Sequence, residues 1–80
     1  MWKEKNNELQ AEFKFNNFTQ AFAFMTEVAF AAEAQKHHPN WSNVYNTVSF
    51  RLHTHAAGDV VTDKDHKLAA AVDEIAKRYG

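Results

Sequence analysis

Eighty residues carrying nine Lys and Arg against ten Asp and Glu, a formal net charge of −1, and no cysteine set the first limits. Disulfide staples and thiolate metal sites are excluded, and no basic surface suited to a nucleic acid is available. A chain of this length is expected to form one domain over residues 1–80, and self-association is an expected source of added stability because so small a domain buries only about 60% of its unfolded surface.

Trp2 to Lys5 reads as a short strand, and Asn6-Asn7 as a two-residue turn, because Asn tolerates the left-handed backbone of tight hairpins. Leu9, Ala11, Phe13 and Phe15 alternate with Glu8, Gln10, Glu12 and Lys14, the period of a half-buried strand. The period then changes. Phe18, Ala21, Phe22, Met25, Val28, Ala29 and Ala32 recur every three or four residues, predicting an amphipathic helix capped by Asn16 or Asn17 and ending near Lys36, ahead of Pro39. Phe24 and Phe30 are surplus to that stripe. The stretch from Phe18 to Ala34 contains Thr19, Gln20, Thr26, Glu27 and Glu33, too polar and too short to span a bilayer. Together with a charged N-terminus that lacks a secretory apolar core, this predicts a cytoplasmic protein.

Residues 37–43 read as loop, with Val44-Tyr45 as a possible short strand. Val48, Phe50, Leu52 and Thr54 alternate with Ser49, Arg51, His53 and His55, a clear strand. Ala57-Gly58-Asp59 is a turn. Thr62 opens a second helix, with Asp65 completing a capping box and Leu68, Ala71, Val72, Ile75 and Tyr79 as its apolar stripe. The order strand–strand–helix–strand–strand–helix predicts an α+β, two-layer sandwich: a four-stranded antiparallel sheet with two helices on one face.

Five histidines are a high count for this length. His66 falls in the first turn of the second helix, facing solvent. Glu33 and His37 are four apart, so continued helical geometry would pair them and fix the imidazole tautomer, either as an acid–base device or as a solvated helix-end pair. His53 and His55 are two apart on a strand and share a face, which permits a metal site with His37 or merely a solvated surface. Arg51 on the same face argues against a cation. Trp41 and Tyr45 could stack on a flat heterocycle or simply pack a small core. Nucleophile elbows, phosphate loops and dinucleotide fingerprints are all missing.

The run Glu33-Ala-Gln-Lys-His37-His38-Pro39-Asn-Trp41-Ser-Asn43-Val44-Tyr45-Asn46, followed by Thr54-His55, resembles the pterin-4a-carbinolamine dehydratases. Their signature is an acidic residue, three residues, His-His-Pro, aromatics, a third histidine closing a strand, and then an aspartate. Ala21 to Thr26 is similar to the family's helix before the site, and Trp2 stands where members often carry a tryptophan. The resemblance implies the four-stranded sheet with helices on one face, without the additional N-terminal helix of many members. It implies dehydration of a 4a-hydroxytetrahydropterin to quinonoid dihydropterin in tetrahydrobiopterin recycling, with the pterin as substrate and no cofactor.

By resemblance the catalytic residues are His37, His38 and His55. His37 and His55 alternate as acid and base, and His38 positions the pterin. Glu33 orients His37, while Pro39, Trp41, Thr54, Asp65 and, at the edge, Trp2 bind substrate. Two features depart from the family pattern: Lys36 replaces the Asp that many members have before the histidine pair, and the loop from His55 to Asp65 differs in length. The implied partners are a pterin and further copies of the chain, as a homodimer or homotetramer. Competing readings are a dimerisation cofactor of a transcription factor, working through the helical face, and a histidine metal site.

Overall fold

A computed structural model describes residues 1–79 of the chain. Strands β1 (Lys3–Lys5) and β2 (Glu8–Lys14) lead into helix α1 (Phe18–Gln35); β3 (Asn40–Val44) and β4 (Thr47–Leu52) lead, through a 3-10 turn over His55–Ala57, into helix α2 (Asp63–Ala76). The sheet is antiparallel throughout, in the order β1-β2-β4-β3. The expected architecture is observed, with both helices on one face. Neither helix is long and apolar enough to cross a membrane.

Local chemistry explains most element boundaries. Asn6 and Asn7 have φ of 54° and 62°, the left-handed pair that a tight hairpin needs, and β1 pairs with β2 in the resulting register (Lys5 opposite Glu8). Asn17 caps α1, its Oδ1 accepting from the Gln20 N–H at 2.9 Å. At the other end Lys36 turns left-handed (φ 56°), the His37 N–H reaches Ala32 O and the Lys36 N–H reaches Glu33 O. That double closure is a Schellman stop, here built on Lys in place of the usual Gly.

Alternation on β2 and β4 places Leu9, Ala11, Phe15, Val48, Phe50 and Leu52 in the core. Two expectations are corrected. The stretch read as loop after the histidine pair contains β3, because Asn40 to Val44 pair with Arg51 to Thr47 of β4; backbone pairing overrides a polar sequence with little alternation. The buried stripe of α1 is Ala21, Phe24, Val28 and Ala32, whereas Phe18 and Phe22 are exposed. Phe24 is a central core residue, its ring 4.7 to 6.2 Å from those of Phe13, Phe15, Phe50 and Tyr79. Phe30 does lie outside the stripe and is exposed. Apolar residues run round much of α1, so helical period alone did not single out the core-facing side.

Candidate active site

The Schellman stop at the end of α1 throws His37 and His38 across the end of the sheet, where β4 runs into the 3-10 turn that starts at His55. A cavity of about 390 Å³ opens there, within the range of small-molecule sites. His37, His38, Pro39, Thr54 and His55 line it, as do His53, Arg51, Lys36 and Lys64. All three expected catalytic histidines therefore face one cavity.

Each of the three is held by a carboxylate through one ring nitrogen. His37 Nε2 lies 2.5 Å from Asp65 Oδ1, His38 Nε2 lies 2.8 Å from Glu33 Oε1, and His55 Nδ1 lies 2.9 Å from Asp59 Oδ1. The other nitrogen of each ring is left for a ligand: Nδ1 of His37 and His38, Nε2 of His55. The pairs differ in rigidity. The side chains of His38 and His55 are 66% and 92% exposed, whereas that of His37 is 11% exposed and Asp65 is fully buried.

Asp65 is fixed by its own partners. Its Oδ2 accepts the Thr62 N–H of the capping box and the Thr54 hydroxyl, both at 2.8 Å, and Thr54 Oγ1 also lies 2.6 Å from Thr62 Oγ1. The carboxylate thus caps α2 with one oxygen and orients an imidazole with the other. This corrects the expected pairing of Glu33 with His37. Because α1 stops at Gln35 and Lys36 turns left-handed, His37 leaves the helical face of Glu33, and it is His38 that Glu33 meets.

Burial pushes the Asp65 carboxyl up, but the hydrogen bonds from His37, the Thr62 N–H and Thr54, with the charge of His37, outweigh it and hold the group below its ordinary value. A folded-state value below the unfolded one means that the ionised form stabilises the fold above the unfolded value, about 3.9, and that this contribution is lost as pH falls through the folded value. Asp65→Asn is expected to cost about 1–3 kcal/mol at neutral pH. In urea denaturation the gap from the native protein narrows as the solution is acidified below about pH 4. A gap constant with pH would contradict this role.

His53 and His55 are not presented by one regular strand, because β4 ends at Leu52. They still converge, with His53 Nε2 3.5 Å from the same Asp59 Oδ1; on its other side, Nδ1 lies 3.3 Å from Glu8 Oε2 without hydrogen-bonding alignment. Among the described residues no three His, Asp or Glu side chains are grouped as a metal site requires, so the geometry gives the metal reading no support.

Trp41 and Trp2 are not among the residues lining this cavity. Trp41 packs against Phe50 and borders a separate apolar groove with Phe22, Met25 and Phe30. Trp2 packs on Phe13 and Phe50 and donates from Nε1 to Asp73 Oδ1 at 2.9 Å. Asp59, Lys64 and Asn40 join the site without being expected there, and Arg51, expected only to disfavour a metal, joins it too. The signal available was the outward-facing side of β4 and the residue beside Asp65.

The two-layer α+β domain sets carboxylate-held imidazoles around one small cavity, an arrangement chemically able to exchange protons with a small ligand. The family model for pterin 4 alpha carbinolamine dehydratase matches residues 1–75. A protein of Christiangramia forsetii named for that dehydratase is 50% identical over 74 residues, 92% of this chain and 75% of its own length. A Synechococcus protein of the same name is 49% identical over 92% of this chain and 78% of its own. The fold resembles a Brucella melitensis structure described as a transcriptional coactivator/pterin dehydratase, at TM-score 0.89 and 39% identity over 94% of this chain and 81% of that one. It also resembles a pterin dehydratase-like protein described as a RuBisCO assembly factor of the alpha-carboxysome, at TM-score 0.76 and 26% identity over 95% and 87%. This chain belongs to the pterin-4a-carbinolamine dehydratase family.

Proposed function

We propose that the chain dehydrates a 4a-hydroxytetrahydropterin to the quinonoid dihydropterin, in the recycling of a tetrahydropterin such as tetrahydrobiopterin. The observation that carries the reading is the buried His37–Asp65 pair under a cavity shared with His38 and His55. The reaction breaks the C4a–O bond. One group protonates the departing hydroxyl, which leaves as water. Another removes the N5 proton while the N5 lone pair forms the C4a=N5 bond. Atoms and charge balance with no change in oxidation level.

Imidazoles suit both transfers, since an unperturbed pKa of about 6.5 leaves both protonation states populated near neutrality. Asp65 accepts a hydrogen bond from the Nε2–H of His37, so the transferable proton sits at Nδ1. Asp59 occupies Nδ1 of His55, so this ring works through Nε2. His37 and His55 then serve as the alternating acid and base, and His38, turned by Glu33, positions the pterin. Thr54 and Pro39 form cavity wall. Trp41 and Trp2 support the sheet beside the site through their packing on Phe50.

The test is direct. Freshly generated 4a-hydroxytetrahydropterin loses water on its own, and purified protein at micromolar concentration is expected to accelerate the absorbance change of the quinonoid product well beyond that background. A rate equal to the background would remove the enzymatic reading.

A second reading rests on the outer face of α1. Phe22 and Phe30 are exposed and, with Met25, Ala29 and Trp41, line an apolar groove of about 270 Å³. We take its occupant to be another copy of the chain, which also satisfies the open edge of β3. The coactivator and assembly-factor roles of the structural neighbours are consistent with a binding face on this fold.

A further inference from the structure

We propose that the cavity takes a reduced pterin bearing an anionic group on its side chain, recognised by Arg51 and Lys64. The inference rests on the pterin reading above and narrows its substrate class. The cavity lining holds three permanent cations, Lys36, Arg51 and Lys64, beside four imidazoles, and no Asp or Glu. Composition does not produce this bias, because acids outnumber bases ten to nine along the chain.

Nearby carboxylates are already committed. Asp65 is taken by His37, and Asp59 by His55. Glu33 is shared between His38 and Lys36, whose Nζ lies 3.8 Å away. Lys36 is therefore partly neutralised. Arg51 and Lys64 are different: among the described residues the ion pairs of Lys and Arg involve Lys36, Lys77 and Arg78. The Arg51 guanidinium donates to a neutral group, Asn40 Oδ1, at 3.5 Å.

Proton transfer on a neutral pterin ring needs the imidazoles and gains nothing from two uncompensated cations. Placing those cations around a cavity with four imidazoles raises the local positive potential. The guanidinium offers a planar fork that matches the paired oxygens of a phosphate or a carboxylate, and the ammonium adds a point charge. An anionic substituent relieves the repulsion and uses both. A phosphate ester and a glutamyl-type carboxylate share this chemistry.

Equilibrium binding of three stable pterins, read by pterin fluorescence, separates the possibilities: neutral 6-hydroxymethylpterin, its phosphate monoester, and a pteroylglutamate. At least one anionic probe is expected to bind about tenfold or more tightly than the neutral one at low salt, with the preference shrinking at high salt. The double variant Arg51→Gln/Lys64→Gln, checked by circular dichroism, brings the ratio close to one. Which anion is preferred identifies the source. A ratio near one in the native protein, or a preference that survives the double substitution, overturns the proposal. The parent reading is judged separately. Dehydration of a neutral 4a-hydroxypterin with a binding ratio near one leaves the enzyme and removes the anion specificity. Anion preference with no dehydration of any pterin does the reverse, and failure of all three probes to bind removes the anion specificity, the enzymatic reading then standing or falling on the dehydration rate alone.

Discussion

His37→Ala is expected to lower kcat for pterin dehydration by about 10²–10⁴-fold, the range of a positioned acid–base group. The reason lies in rigidity. Of the three carboxylate-held imidazoles, only the His37–Asp65 pair is shielded from water, so only there is the ring fixed by a partner that cannot relax into solvent. Truncation leaves the Asp65 carboxylate without its Oδ1 partner, a loss of about 1–3 kcal/mol. His37→Gln, whose amide can still donate to that oxygen, serves as the folded control. Both variants should retain native circular dichroism while losing turnover together. Turnover within a few fold of native in His37→Ala would exclude His37 from the chemistry.

Phe24→Ala carries the largest expected cost in stability, about 3–5 kcal/mol for a fully buried aromatic ring. Its ring is in contact range of four others drawn from β2, the residue just past its end, β4 and the C-terminal turn that holds Tyr79, so the space cannot close from one side. Domains typically hold about 5–15 kcal/mol in all, and one this small has little in reserve. The urea midpoint should fall sharply, while Phe24→Leu should recover much of the loss. By contrast Phe30→Ala, on the exposed face of α1, should leave the unfolding of the monomer almost unchanged. A Phe24→Ala loss below about 1 kcal/mol would show that the aromatic cluster relaxes far more freely than close packing allows.

Where local chemistry governs, residue order was a reliable guide. Left-handed Asn6-Asn7, the Asn17 cap and the Thr62–Asp65 box all stand where their residue types place them, because each depends on atoms within a few residues. The alternation on β2 and β4 marked the core face for the same reason. β3 was missed because its residues carry little alternation and are defined by partners on β4. The core face of α1 was misjudged because Phe, Ala and Met surround the helix, so burial was decided by the sheet beneath and by α2.

The candidate site divides in the same way. The sequence by itself determined which groups are available: two imidazoles at the end of a helix, another where a strand ends, an aspartate at a helix cap and a resemblance that joins them. Only tertiary structure decided who holds whom. A left-handed residue at position 36 carries His37 away from Glu33, one turn of chain beyond β4 swings His55 to Asp59, and α2 delivers Asp65 from 28 positions downstream. A partner as distant along the chain as Asp65 is selected by packing of the sheet against two helices, and no local period encodes that packing.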